Sequence, residues 1–454
     1  MGAASEFAVT YTAEVSGPRY TSVDDLRLEE RGIKYVRVQY VDYGNTVRFR
    51  VLPVSYFKRV CKVARPSLII SPFALAFVGI RFAGGFRRTD DCLHVIDLNS
   101  FRVCTYAPGH AVVMTWFQEK VPLPTAGLAM SICPRTMLQK VVDEARAKAG
   151  LTFLVGFESE FLLLRKASSP PELVNDAGWG CSLGYRTGAV ESAVLDEIVD
   201  CIEGAGVEAH YIHGEAAPAQ YELVTGPMSP LEAADALVFT RETIYNIAHK
   251  HGLRATFAPR LLSESSECSQ PLCGALAFGA LRPLRSRSGA HMHLSLHSSA
   301  PVAKPDTRLD AALAPELTPT ERSFLQTLVE HIASLSAITL PTNASYGRVE
   351  DGIFWAGRIL AAGLKGVLSG AELKTGNCAK PAAQMSEEER RAVGLENPRR
   401  FPRIVGDARQ MLDKDTYLKE TLGDEFVGVY LGLLEEHMTL PTEEATITRL
   451  IETF

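Results

Sequence analysis

The sequence lacks the features of a disulfide-stabilised protein or a structural zinc protein. Its nine cysteines are an odd number, no Cys-x-x-Cys pair occurs, and only Cys268 and Cys273 stand close together. Disulfide frameworks and structural zinc sites both depend on paired, regularly spaced cysteines. We therefore expect a reducing environment and a cytoplasmic location.

Signals for membranes and nucleic acids are also lacking. No apolar run is long enough to span a bilayer. The amino terminus MGAASEFAVT has no basic region followed by an apolar core, and Glu6 stands where a myristoylation signal needs Ser or Thr. The net charge of −6 comes from scattered residues rather than from a basic patch. We expect a soluble protein that binds neither nucleic acid nor membrane.

What the sequence does contain is a mixture of strand and helix patterns without internal repeats. Its 454 residues suit two or three domains. Alternating residues at 34–57 around a turn at 42–46 predict a hairpin, and 92–98 and 111–118 predict further strands. A Pro-rich stretch at 121–127 is a plausible boundary. Amphipathic helices closed by glycine are predicted at 134–150, 190–206 and 230–252. The pattern indicates an α+β protein.

The stretch SGAHMHLSL, residues 288–296, places three polar side chains on alternate positions: His291, His293 and Ser295. In a strand these side chains share one face, while the apolar residues between them pack on the other. A convergent polar face of this kind is typical of a cavity wall. The alternative is a solvent-facing strand whose histidines have no function.

Two further stretches carry paired carboxylates. Glu158 and Glu160 lie two residues apart in the apolar strand LVGFESEFLLL, so both emerge on one face and need a cation in a dry interior. Glu215 and Glu222 flank a Pro-interrupted turn in HGEAAPAQYEL that can bring both carboxylates to one ion. Oxygen ligands with one added imidazole suit Mg²⁺ or Mn²⁺. Each pair taken alone can also be a solvated surface pair.

The order of these motifs, ending with Asn-x-Ser-Tyr-x-Arg at 343–348, resembles the glutamine synthetase superfamily, class I branch, and most closely the synthetase-like half of fungal FluG-type proteins. The resemblance implies a tail at 1–30, an amino-terminal β-grasp domain at 31–122, and a catalytic-type domain at 123–454 with a curved antiparallel sheet flanked by helices. It also implies a homo-oligomer with shared active sites and a role in nitrogen metabolism. The implied reaction uses ATP and a divalent metal to join glutamate to ammonia or an amine through an acyl phosphate.

Matching the motifs to this sequence implies specific roles. For the metal on the substrate side, the matched ligands are Glu160, Glu215 and Glu222. For the metal on the nucleotide phosphates, they are Glu158 and His291. His293 and Ser295 match positions beside ATP, and Arg348 matches an arginine that contacts the substrate, where a guanidinium can bind a carboxylate or phosphate through two hydrogen bonds.

The sequence differs from the family pattern in two segments. Residues 261–287 form an apparent insertion, and a family segment that carries further arginines is missing near 358–359. Two functions therefore stay open: an ATP-dependent carboxylate-amine ligase, or a catalytically impaired synthetase-like protein with a regulatory or assembly role.

Overall fold

The structure is a computed structural model that describes residues 9, 11–12, 19–79, 81–165, 172–258, 288–298, 306, 308–346, 359–378, 380, 384–395 and 401–439. Its strands are β1 Tyr35–Val41, β2 Val47–Pro53, β3 Ser67–Ile70, β4 Phe77–Val78, β5 Arg81–Phe82, β6 Cys92–Ile96, β7 Arg102–Val103, β8 His110–Leu123, β9 Gly127–Ala129, β10 Leu151–Arg165, β11 Ala209–Gly214, β12 Gln220–Thr225, β13 Leu253–Thr256 and β14 Ala290–Ser298. Its helices are α1 Val54–Cys61, α2 Pro134–Ala149, α3 Val190–Gly204, α4 Pro230–Lys250, α5 Pro319–Thr339, α6 Asn343–Tyr346, α7 Ile359–Ser369, α8 Glu387–Ala392, α9 Val405–Lys414, α10 Thr416–Leu422 and α11 Asp424–Met438. The α+β class is confirmed.

The amino-terminal part forms a seven-stranded sheet in which β2-β1-β8-β6-β3 lie side by side, with β7 and β9 paired to β8. The β1–β2 hairpin is antiparallel, whereas β1 and β8 are parallel. A hairpin, a helix and a central parallel pair are the elements of the expected β-grasp domain.

The predicted hairpin ends earlier than the sequence pattern suggested. Its last four residues, 54–57, belong to α1, so the extended conformation expected there is wrong. In this helix Phe57 and Val60 lie three residues apart and are buried in the core beside Val36 and Val38. Residues three apart share one helix face, which explains why these apolar positions fit a helix.

A second, five-stranded sheet contains β11-β12-β10-β13, and β14 pairs with β10. Strand β10 runs antiparallel to both β12 and β13. The helices α3 and α4 contribute Ile198 and Phe239 to the hydrophobic core under this sheet. The three helices predicted from glycine-terminated amphipathic patterns are all present.

Contacts between Cα atoms divide the chain into two compact units. Of the described residues, the first contains those within 1–130 and 155–293 together with residue 439, and the second contains those within 131–154 and 294–438. The boundary predicted at 122/123 stays a prediction. The predicted insertion at 261–287 lies outside the described residues, as does the residue before the apparent gap near 358–359. Among the described residues, no helix is long and apolar enough to cross a membrane.

In the second unit, helix α5 packs against α7 and α9. Two glycines of α7 permit the close approach: a Cβ atom at Gly363 would overlap the Phe324 ring, and one at Gly366 would overlap the Ser323 carbonyl oxygen. Gly428 of α11 is different, because nothing lies within 4 Å of an added Cβ.

These glycines provide a matched test of the α5–α7 contact. Gly366→Ala should lower the free energy of unfolding by about 1–3 kcal/mol, because overpacking outweighs the gain in helix propensity. Gly428→Ala should leave it unchanged or raise it by about 0.5–1 kcal/mol. Urea unfolding of both variants measures the difference. Equal effects in the two variants would contradict the close packing of α7 on α5.

The amino-terminal sheet also contains a buried titratable group, His94 on β6, which is 1% exposed. Burial, assisted by the charge of Arg50, lowers the pKa of His94 to about 3. An unfolded histidine has a pKa of about 6.5, so the unfolded chain binds a proton first as the pH falls. The neutral form of His94 therefore favours folding above about pH 6.5, and this contribution is lost below it.

We expect the free energy of unfolding to fall by about 2 kcal/mol between pH 7 and pH 5 because of His94 alone. His94→Gln removes the titrating imidazole, so its pH dependence should be smaller by that amount even if the variant is less stable overall. Urea unfolding at both pH values tests this. The same pH dependence in parent and variant would show that His94 does not contribute.

Candidate metal centre

The site is built on two antiparallel strands whose carboxylates meet. In the register of β10 and β12, Glu160 lies directly opposite Glu222, and Glu158 lies opposite Val224. Both Glu160 and Glu222 are buried. Like charges directly opposite each other in a sheet are unfavourable, so this pair needs a compensating group.

Strand β14 brings imidazoles to the same face. His291 Nδ1 lies 2.6 Å from Glu158 Oε2, and His293 Nε2 lies 2.7 Å from Glu158 Oε1. The other ring nitrogen of His291 lies 3.7 Å from Glu160 Oε1. The two histidines and the two glutamates of the sequence motifs are therefore neighbours.

The turn between β11 and β12 is closed by Gln220. The Glu215 amide donates to the Gln220 carbonyl at 2.8 Å, and the Ala217 amide donates to Gln220 Oε1 at 3.0 Å. The side-chain amide nitrogen of Gln220 then donates to Glu160 Oε2 at 2.6 Å. Because its oxygen accepts from an N–H group, the orientation of the Gln220 amide is fixed, and its nitrogen faces Glu160.

The two residues that precede β14 also hold Glu160. The Gly289 amide donates to Glu160 Oε2 at 2.5 Å, and Ser288 Oγ donates to the Glu160 carbonyl at 2.6 Å. A Cβ atom at residue 289 would overlap the Glu160 carboxylate. Only glycine therefore allows the backbone to approach this carboxylate.

The negative charges of the cluster affect the pKa of Glu222. Burial, and then the charges of Glu158, Glu160 and Glu215, together raise the pKa of Glu222 to about 8. His213 Nε2 lies 3.9 Å from carboxylate oxygens of both Glu215 and Glu222. A divalent cation in this cluster would remove the repulsion that disfavours the ionised form.

The donor atoms fit such a cation. Ligand atoms of Glu158, Glu222 and His291 lie within 4.8 Å of one another. Two carboxylate oxygens and one imidazole nitrogen suit Mn²⁺, and Mg²⁺ accepts the oxygens. The sequence motifs assign Glu158 and His291 to one ion and Glu222 to another, whereas the structure gathers all three donors. The division between two ions stays a prediction.

Two predicted site residues are not part of this cluster. Ser295 Oγ lies 2.9 Å from His297 Nε2, further along β14. Arg348 lies outside the described residues, so its predicted substrate contact stays a prediction.

Sequence reasoning missed three residues as parts of the site: His213, Gln220 and Gly289. His213 stands two positions before Glu215, and Gln220 stands two positions before Glu222. Side chains two apart in a strand share a face, so alternation from the predicted ligands was a signal for both residues. Gly289 gave no comparable signal, because its importance depends on the approach of another strand.

Gln220 offers a direct test of this arrangement. Gln220→Met removes the hydrogen bonds to Glu160 and Ala217 at similar volume, and should weaken Mn²⁺ binding about 10- to 100-fold, as expected for a residue that orients a ligand. Gln39→Met is the matched control, because Gln39 is equally buried but lies in the amino-terminal sheet. Calorimetric titration with Mn²⁺ compares the two. Unchanged affinity in a folded Gln220→Met variant would contradict the role of Gln220.

Comparisons with known proteins agree with this geometry. A family model described as glutamine synthetase, catalytic domain, matches residues 131–268. The fold matches a crystal structure of a novel glutamine synthase homolog with a TM-score of 0.69 and 20% identity, covering 93% of this chain and 99% of that one. A structure titled apo GmaS without ligand gives the same TM-score and identity, covering 93% of this chain and 98% of that one. The chain therefore resembles glutamine synthetases in sequence over residues 131–268 and in fold.

The chain also resembles the protein fluG of Emericella nidulans, with 26% identity that covers 88% of this chain and 46% of fluG. It is 27% identical to the gamma-glutamylpolyamine synthetase GlnA3 of Streptomyces coelicolor, covering 74% of this chain and 66% of GlnA3. It is 24% identical to the glutamine synthetase of Methanocaldococcus jannaschii, and the match covers 89% of this chain and 92% of that protein. The chain thus spans about half of fluG and about two thirds of GlnA3.

Proposed function

We propose that this protein is an ATP-dependent carboxylate-amine ligase that forms glutamine or a γ-glutamyl amide from glutamate. The observation that carries the proposal is the group of Glu158, Glu222 and His291, whose donor atoms lie within 4.8 Å. The resemblance to glutamine synthetases and to a gamma-glutamylpolyamine synthetase supports the reaction class. These two relatives differ in the amine that their names imply, so the amine in this proposal is ammonia or a larger amine.

The reaction must overcome the poor reactivity of a carboxylate. A γ-carboxylate oxygen of glutamate attacks the terminal phosphorus of ATP and ADP leaves; the amine nitrogen then attacks the acyl carbon and phosphate leaves. A bound divalent cation would withdraw negative charge from the reacting oxygens. In this proposal Glu158, Glu222 and His291 hold the ion, while Gln220 and Gly289 keep Glu160 in place beside it.

Further roles in the proposal come from the sequence motifs. His293 and Ser295 lie beside ATP, Glu215 completes the substrate side, and Arg348 offsets charge on the substrate. The expected homo-oligomer with shared sites, the cytoplasmic location and the role in nitrogen metabolism belong to the same proposal.

The ligase proposal is tested with glutamate, ATP, Mg²⁺ or Mn²⁺, and hydroxylamine as the amine. The parent protein should form γ-glutamyl hydroxamate and ADP in equal amounts. Glu222→Gln should lower the rate by about two orders of magnitude or more, the scale of lost electrostatic stabilisation at such centres. Glu435→Gln, at an exposed position on α11, should leave the rate unchanged.

Calorimetric titration with Mn²⁺ in the same samples separates the two functions. A parent protein that binds Mn²⁺ but forms no hydroxamate would overturn the ligase proposal and favour the regulatory or assembly role. A parent protein that forms hydroxamate at the same rate as Glu222→Gln would show that the reaction does not use this centre.

A further inference from the structure

The amino-terminal sheet carries a cavity that is separate from the carboxylate cluster in sequence and composition. Its volume is about 360 Å³, within the range of small-molecule sites. Residues of β1, β2, β3, β5 and β6 and of the segment 71–77 line it. The lining residues are Tyr40, Arg48, Phe49, Arg50, Ile70, Ser71, Phe73, Ala74, Phe77, Phe82 and His94.

Aromatic rings form part of this lining. The rings of Phe73 and Phe82 are stacked with centroids 4.3 Å apart, and Phe77 lies 4.6 Å from Phe82. Phe82 is 40% exposed, so part of this aromatic surface faces the opening. Flat rings that are already stacked offer a surface for a further planar, apolar group.

The two arginines of the lining differ in their partners. Arg48 Nε donates to Asp42 Oδ2 at 2.5 Å, and its guanidinium stacks over the Phe77 ring at 4.1 Å. Its charge is therefore balanced within the protein. Arg50 Nη1 donates to the Ile69 carbonyl at 3.1 Å, and among the described residues no carboxylate pairs with it. One positive charge of the lining is thus left without a counterion.

The remaining titratable groups of the wall, His94 and Tyr40, do not supply that counterion. Thr115 Oγ1 donates its only proton to the Gln39 carbonyl at 2.8 Å, so it must accept from Nε2–H of His94. This hydrogen bond places a proton on Nε2 of His94. Burial, and then the charge of Arg50, lowers the pKa of His94 to about 3, so the imidazole is neutral at neutral pH. The phenol of Tyr40 is neutral as well, since burial raises its pKa.

We propose that this cavity binds a small aromatic carboxylate, with the carboxylate on Arg50 and the ring against Phe73, Phe77 and Phe82. A guanidinium binds a carboxylate with two parallel hydrogen bonds. An apolar wall with one uncompensated cation selects a molecule that has one apolar part and one negative charge. This inference is independent of the proposed ligase function, because none of its residues belongs to the carboxylate cluster.

The probe is 4-fluorophenylacetate, followed by ¹⁹F NMR line broadening and by calorimetry with the full chain. We expect saturable binding, and at least about tenfold weaker binding of the neutral 4-fluorophenylacetamide. Arg50→Gln should reduce the affinity for the carboxylate by about tenfold or more and leave the affinity for the amide unchanged. Arg50 is exposed, so this variant should fold normally.

Arg65→Gln is the matched control, because Arg65 likewise donates to a main-chain carbonyl, that of Lys120, but does not line the cavity. Phe82→Leu tests the aromatic wall. It should weaken the binding of 4-fluorophenylacetate more than the binding of hexanoate. Absence of saturable binding would overturn the proposal. An equal loss of affinity for 4-fluorophenylacetate in Arg50→Gln and Arg65→Gln would show only a general attraction between charges. That result would also overturn the proposal.

Discussion

Repulsion among buried carboxylates is the constraint around which the first unit is organised. Glu160 and Glu222 face each other across β10 and β12, and Glu158 and Glu215 add to the same field. Removing several negative charges from water costs far more than one hydrogen bond returns. The Gln220 and Gly289 amides both donate to Glu160 Oε2, but an amide carries no charge and cannot cancel that of a carboxylate.

This constraint makes the cluster either a proton site or a cation site. With a pKa of about 8, the Glu222 carboxyl holds a proton for much of the time at neutral pH. A divalent cation that binds there competes with that proton and releases it. Protonation of Glu222 would lower the charge of the cluster, and a bound divalent cation would instead favour its ionised form.

The sequence allowed the β1–β2 hairpin, β14 and the helices α2, α3 and α4 to be predicted because their patterns are local. Alternation identified β14 from His291 and His293, and the glycine at 150 marked the end of α2. The start of α1 was missed because Val54 continues an apolar alternation and only tertiary packing of Phe57 selects the helix. The roles of Gln220 and Gly289 depend on strands far apart in sequence. The alternation of side chains in β12 indicated Gln220, but no local pattern indicates Gly289.

The register of β10 and β12 limits how this part of the chain can change in length. Side chains alternate between the two faces of a strand, so one added residue within β12 moves every later side chain to the opposite face. Glu222 would then leave the cluster, while Gln220 and the turn before it stayed in place. An addition of two residues would restore the face but shift Glu222 along β10, away from Glu160. Changes in length between Gln220 and Glu222 are therefore excluded by geometry, whatever residues are inserted.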